Sequence, residues 1–79
     1  MSASTLERIV AVFAQVFENK GLTVPSLTAA TVLDGSLGLE SLDFAEVVVR
    51  LEAAFGTDPF ARGVPAHVRT LGDLVALYE

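Results

Sequence analysis

Leu6, Ile9, Val10, Phe13, Val16 and Phe17 recur at i, i+3, i+4 and i+7, the spacing that stacks side chains on one face of an α-helix. Ser4 stands three residues before Glu7 in a capping-box pattern, so the first predicted helix opens there and ends near Gly21. From Leu22 to Leu39 the aliphatics Leu22, Val24, Leu27, Val32, Leu33 and Leu37 are scattered among Thr, Ser and Gly with neither helical nor strand period sustained. This reads as a loop of about eighteen residues whose aliphatics pack inward, and loops of that length in a compact domain tend to be functional. A second helix begins close to Ser41, carries Phe44, Val47, Val48, Leu51 and Phe55 on helical spacing, has Asp43 and Glu46 near its N-terminus, and stops at Gly56. Asp58 and Pro59 resemble an N-cap and first helical residue for a single turn through Arg62, ahead of Gly63 and Pro65. Thr70 and Asp73 form another capping-box pattern before Leu71, Leu74, Val75 and Tyr78, which make the last helix. No two-residue alternation is long enough for a strand, and no repeat or linker interrupts the chain. The expected fold is all-α: a small four-helix bundle of three main helices and one short one, with a long loop between helices one and two, forming a single domain over residues 1–79.

Composition narrows what such a bundle does. A chain of 79 residues with 52% hydrophobic content supports one core, and its size argues against a deep cleft. It contains no cysteine, so neither a disulfide nor a thiolate zinc site stabilises it, and helix packing must. The longest apolar run near the start, Ile9 to Ala14, falls far short of the roughly 18 residues that span a bilayer. Glu7 and Arg8 precede that run and no cleavage pattern follows, so no transmembrane helix or secretory signal is expected and the cytoplasm is the default compartment. Ten acidic residues against five basic ones give a net charge of -5, which disfavours nucleic acid and anionic membranes and favours basic partner surfaces. With no heptads and no second apolar face, a monomer is expected.

The inventory for catalysis is thin. The single histidine, His67, lies in a Pro65-Ala66-His67-Val68 loop without a serine or carboxylate at motif spacing, and reads as a solvated surface residue. The stretch Asp34 to Leu39 invites comparison with a calcium loop, but the third, fifth and twelfth positions hold Ser36, Gly38 and Ala45. Phosphate-loop and dinucleotide fingerprints are absent, as is a basic cluster interleaved with aromatics. No catalytic residue and no metal ligand is assigned, and the chain is not expected to be an enzyme.

What remains is Leu37-Gly38-Leu39-Glu40-Ser41-Leu42-Asp43-Phe44, running into an aliphatic helix that closes with Phe55-Gly56. A serine hydroxyl at the mouth of a helix is exposed, and the unpaired backbone N–H groups of the first turn favour an attached phosphate. The plain alternative is that Ser41 is an ordinary N-cap, and the two roles are compatible. The pattern resembles the acyl carrier protein family, in which a serine at the start of the second helix, preceded by Gly-x-Asp and followed by Leu or Met, receives the cofactor. The matching residue is Ser41, and the order of elements matches over nearly the whole chain. The resemblance implies a carrier whose Ser41 is modified with 4'-phosphopantetheine, covalently, from coenzyme A, by a magnesium-dependent phosphopantetheinyl transferase. The arm then holds an acyl or aminoacyl thioester for partner enzymes such as a ligase, acyltransferase or synthase. A chain without cysteine holds no thioester on its own side chains, so the thiol must arrive with the arm.

Helix two is also the expected docking surface. With Phe44, Val48, Leu51 and Phe55 inward, Ala45, Val49 and Glu52 fall outside, flanked by Asp43 and Glu46, with Glu40 and Leu42 beside the serine. Residues 40 to 55 hold four carboxylates against Arg50, a net -3 of the chain's -5, which would steer basic partners. An ordinary solvated helix face is the alternative. Three departures from the family pattern stand out. Glu40 replaces the usual Asp, which bears on recognition by some transferases. Phe44 is bulkier than the residue often found in fatty-acid carriers and either enters the core or meets cargo. Arg62, His67 and Arg69 make the third-helix region mildly basic, which favours a polyketide, fatty-acid-like or other specialised pathway over housekeeping fatty-acid synthesis. The rival to a carrier is an unmodified acidic helical interaction module, whose binding would survive Ser41→Ala.

Overall fold

A computed structural model describes residues 4–61, 63 and 67–79. Among the described residues there are three helices, α1 (Thr5–Asn19), α2 (Ser41–Phe55) and α3 (Leu71–Tyr78), and the long connection between α1 and α2 holds a 3-10 turn at Gly35–Leu37. The architecture is the expected small all-α bundle. In α1, Ser4 Oγ accepts from the Glu7 N–H at 3.1 Å, and the Glu7 carboxylate accepts from the Ser4 N–H, which closes the capping box. The helix ends in a Schellman motif. Gly21 takes the left-handed conformation (φ 74°), its N–H reaches Glu18 O at 3.0 Å, and the Leu22 N–H reaches Phe17 O at 2.9 Å.

Helix α1 packs against both α2 and α3 and supplies Ile9, Val12, Phe13, Val16 and Phe17 to the core. Val47 and Leu51 come from α2, Leu71, Leu74 and Val75 from α3, and Leu39 from the loop. Burying each such side chain stabilises the fold by about 1.5–3 kcal/mol before the entropy cost of ordering it. Arg8 ties the other end of the α1–α2 pair. Its guanidinium donates to Ala54 O at 2.7 Å, one of the terminal carbonyls of α2 with no intrahelical partner, and lies 3.9 Å above the Phe55 ring.

The loop departs from the sequence reading in three ways. Val24, Leu27, Leu33 and Leu37 pack against the core, but Leu22 and Val32 are exposed. Val32 points outward because residues 32 and 70 form an isolated antiparallel bridge, whose pleat turns neighbouring Leu33 inward. Leu22 follows the Schellman glycine, where the chain is turning away from α1. The second departure is that the loop is strapped to α3. Leu33 N–H donates to Arg69 O at 2.8 Å, Leu71 N–H to Thr31 O at 2.9 Å and Gly72 N–H to Ala29 O at 2.9 Å. The first two donors of α3, which no helix satisfies internally, thus find loop carbonyls, while Thr70 Oγ1 takes the Asp73 N–H. The third departure concerns the expected short helix after Asp58. Among the described residues that stretch is a pair of turns, with Ala61 N–H to Asp58 O at 3.3 Å and Gly63 N–H to Phe60 O at 2.8 Å, and Asp58 Oδ1 accepting from the Phe60 N–H. Pro59 suits a turn as well as a helical start. Arg62, Pro65 and Ala66 lie outside the described residues. No described helix is long and apolar enough to cross a membrane.

Candidate functional site

The segment entering α2 is held on both sides of Ser41. The 3-10 turn is capped by Asp34, whose carboxylate accepts from the Ser36 N–H at 2.9 Å and from the Ser36 hydroxyl. These bonds hold the Asp34 carboxyl below its usual range, the Ser36 hydroxyl contributing most. Gly38 then turns the chain in the left-handed region (φ 96°), and Leu39, 3% exposed, is driven into the core. Glu40 is extended (φ -94°, ψ 171°) and is the N-cap residue. Ser41 is therefore the first helical residue, not the N-cap that the plain alternative supposed. Its side chain faces solvent two residues after a buried leucine.

Asp43 secures this helix start from inside the first turn. Its Oδ2 accepts from the Glu40 N–H at 2.8 Å and from Lys20 Nζ at 2.5 Å. The Lys20 hydrogen bond, with the Glu40 bond next, keeps the Asp43 carboxyl below its usual range, and the same contact raises Lys20. By contrast with α3, the Ser41 and Leu42 N–H groups at the start of α2 meet no acceptor among the described residues. An open hollow of about 660 Å³ lies beside Ser41, bordered by Asp34, Gly35, Gly38, Leu39, Glu40 and Phe44. It gives an attached phosphate or its tether room without displacing any side chain of the core.

The predicted face of α2 is mostly as expected. Glu40, Leu42, Ala45, Glu46, Val49 and Glu52 are exposed, with Leu42 at 80% and Val49 at 62%. Asp43 is the exception, half-buried under Lys20. On the inner face Val47 and Leu51 are buried, while Phe44, Val48 and Phe55 are half-buried. Phe44 does enter the core edge, meeting Phe13 edge-on with ring centroids 6.5 Å apart. His67 is exposed, as expected. Sequence reasoning missed Lys20 as part of this region. The signal was its status as the chain's single lysine, at the end of a helix, but its partner is 23 residues away and only the packing brings them together.

Residues 7–78 match the family described as "Phosphopantetheine attachment site". Among solved structures, the chain is similar to MacpD, an acyl carrier protein from Pseudomonas fluorescens involved in mupirocin biosynthesis, at 36% identity and a TM-score of 0.77. The match covers 92% of this chain and 66% of that one, so the chain spans just under two thirds of MacpD's length. No curated protein matches.

Proposed function

Because the chain belongs to the phosphopantetheine-attachment family of acyl carrier proteins, we propose that Ser41 is the residue that receives the arm and that the chain presents acyl intermediates to separate enzymes. The observation that carries this reading is the position of Ser41: exposed, first in α2, and fixed between buried Leu39 and the Asp43 cap. A hydroxyl so placed is reachable by a transferase, and its ester phosphate would lie against the free N–H groups of the first turn. The arm supplies the thiol on which cargo is held as a thioester. The chain's own residues supply the anchor, the rigid frame beneath it and the docking face of α2, where Leu42, Ala45 and Val49 are bordered by Glu40, Glu46 and Glu52. Similarity to a carrier involved in mupirocin biosynthesis supports a specialised biosynthetic pathway, with the loading and processing enzymes of that pathway as partners.

The test is intact-mass analysis after incubation with coenzyme A, magnesium and a broad-specificity phosphopantetheinyl transferase. Wild type should gain the mass of one phosphopantetheine group and Ser41→Ala none. A wild-type chain that stays unmodified, or a Ser41→Ala chain that is modified elsewhere, would overturn the assignment.

A further inference from the structure

A groove of about 480 Å³ runs between the C-terminal end of α1 and the first half of α2. Val16, Leu42, Ala45 and Val49 give it an apolar lining, and Lys20 and Asp43 close one end. Leu42 and Val49 are seven residues apart, so they stand two turns, about 10 Å, apart along one face. Sequence alone describes this face as acidic, but two of its four carboxylates are already engaged. Lys20 Nζ sits 2.5 Å from Asp43 Oδ2, leaving the Asp43 side chain only 17% exposed. Arg50 lies 3.1 Å from Glu46 and also donates to Gln15 Oε1 of α1 at 3.0 Å, so this second pair is braced across the helices too. Counting Lys20 reduces the -3 of residues 40–55 to -2, and Asp43, one of the two acids lining the groove, is held in that pair.

We infer that Lys20 is a specificity-determining residue: by covering Asp43 it makes the α1–α2 groove an apolar docking site, fitted to partner enzymes that offer a pair of apolar side chains and no cation opposite Asp43. The inference rests on the carrier reading for the identity of the partners, while the masking itself does not. An acid held this way neither steers a basic partner nor forms a new ion pair with it, because either would require breaking a contact already made. Docking at the groove then draws on Leu42 and Val49, and Asp43 adds nothing to whatever salt dependence Glu40 and Glu52 confer.

The experiment compares the transferase's kcat/KM on wild type, Lys20→Gln, Lys20→Arg and Ala76→Glu at about 50 and about 500 mM KCl. Freeing Asp43 should raise the low-salt rate of Lys20→Gln by about 3–10-fold, with the gain gone at high salt. Lys20→Arg, which keeps a cation on Asp43, should match wild type, whereas a merely structural Lys20–Asp43 tie would make Lys20→Gln slower and not faster. Ala76→Glu has the same net charge as Lys20→Gln but places it on the exposed side of α3, and should match wild type. A Lys20→Gln rate at or below wild type at low salt, or a Lys20→Arg rate that rises with it, overturns the inference. If no chain is modified, the carrier reading falls, and an NMR titration with an oligolysine peptide decides the masking alone. The Asp43 carboxylate should respond in Lys20→Gln and not in wild type; an equal response in both overturns it.

Discussion

Gly72→Ala sets two effects of opposite sign against each other at one position. Gly72 is the second residue of α3, and alanine is favoured over glycine by about 0.8–1 kcal/mol in a helix interior, less in a first turn. That alone would stabilise the chain. A Cβ at this position, however, would lie 3.0 Å from Ala29 O and 3.3 Å from Ala29 Cβ. The obstructing atom is a backbone carbonyl, and it is the acceptor of the Gly72 N–H at 2.9 Å. The loop must retreat by several tenths of an ångström, which stretches that bond and the neighbouring Leu71 N–H to Thr31 O bond of 2.9 Å. Each is worth about 0.5–1.5 kcal/mol net, so losing both outweighs the propensity gain by about 1 kcal/mol. In a domain of this size that lowers Tm by about 4–8 °C. Urea denaturation measures the total, and amide exchange locates it: the Leu33, Leu71 and residue-72 amides should exchange faster beyond any global change, with Leu51 following the global transition. A variant as stable as wild type, with those three amides still protected, would show that the strap does not depend on glycine and would refute the reasoning.

Leu51 is fully buried, so Leu51→Ala should cost about 2–5 kcal/mol, against a total of about 4–12 kcal/mol for a chain of this length. Thermal unfolding checks this, and a loss below about 1 kcal/mol would mean that the core collapses around the gap. Asp34, Asp43 and Asp73 are all held below the usual 3.8, chiefly by bonds from Ser36, Lys20 and the Arg69 backbone N–H respectively. The folded state therefore binds fewer protons than the unfolded chain, so stability is steady above about pH 5 and is lost as pH falls from about 4 through the lowered values. A Tm unchanged between about pH 5 and about pH 2.5 would contradict that sign. Because the exposed Ser41 does not cap α2, Ser41→Ala should leave stability within about 0.5 kcal/mol of wild type. A larger drop would reveal a structural role for the hydroxyl.

The parts of the fold legible in the sequence are those that local chemistry decides. Ser4 with Glu7 and Thr70 with Asp73 are self-contained capping boxes, and both helices begin there. The helical period of α1 exposed nearly all of its core face, Val12 being the omission. The start of α2 near residue 41 was legible in the same way, whereas Ser41 was singled out by the resemblance to a family, local chemistry alone having made it an N-cap, a position that Glu40 takes. What was hidden depends on residues far apart in the chain. The outward turn of Val32 follows from pairing with Thr70, and the covering of Asp43 follows from the packing of α1 on α2. The short element after Asp58 misled because an aspartate followed by proline serves a helical first turn and a β-turn alike.

The same division bears on how a carrier of this size works. Leu39 and Val47 are buried on either side of the α2 entrance, and Asp43 binds the Glu40 N–H between them, so the backbone at Ser41 is fixed by contacts in which its own side chain takes no part. If Ser41 receives the arm as proposed, loading the hydroxyl would remove nothing from the core, and the frame would not need to change with the cargo. Recognition then has to come from surfaces that stay constant through the cycle. The groove beside Leu42 is the surface we propose for this, and the pair that neutralises Asp43 within it comes from a lysine at the end of α1, outside the helix that begins at Ser41. On the inference drawn above, partner choice would be adjustable by substitutions at residue 20, which lie outside the core and the helix bearing Ser41 and touch the helix start only through Asp43.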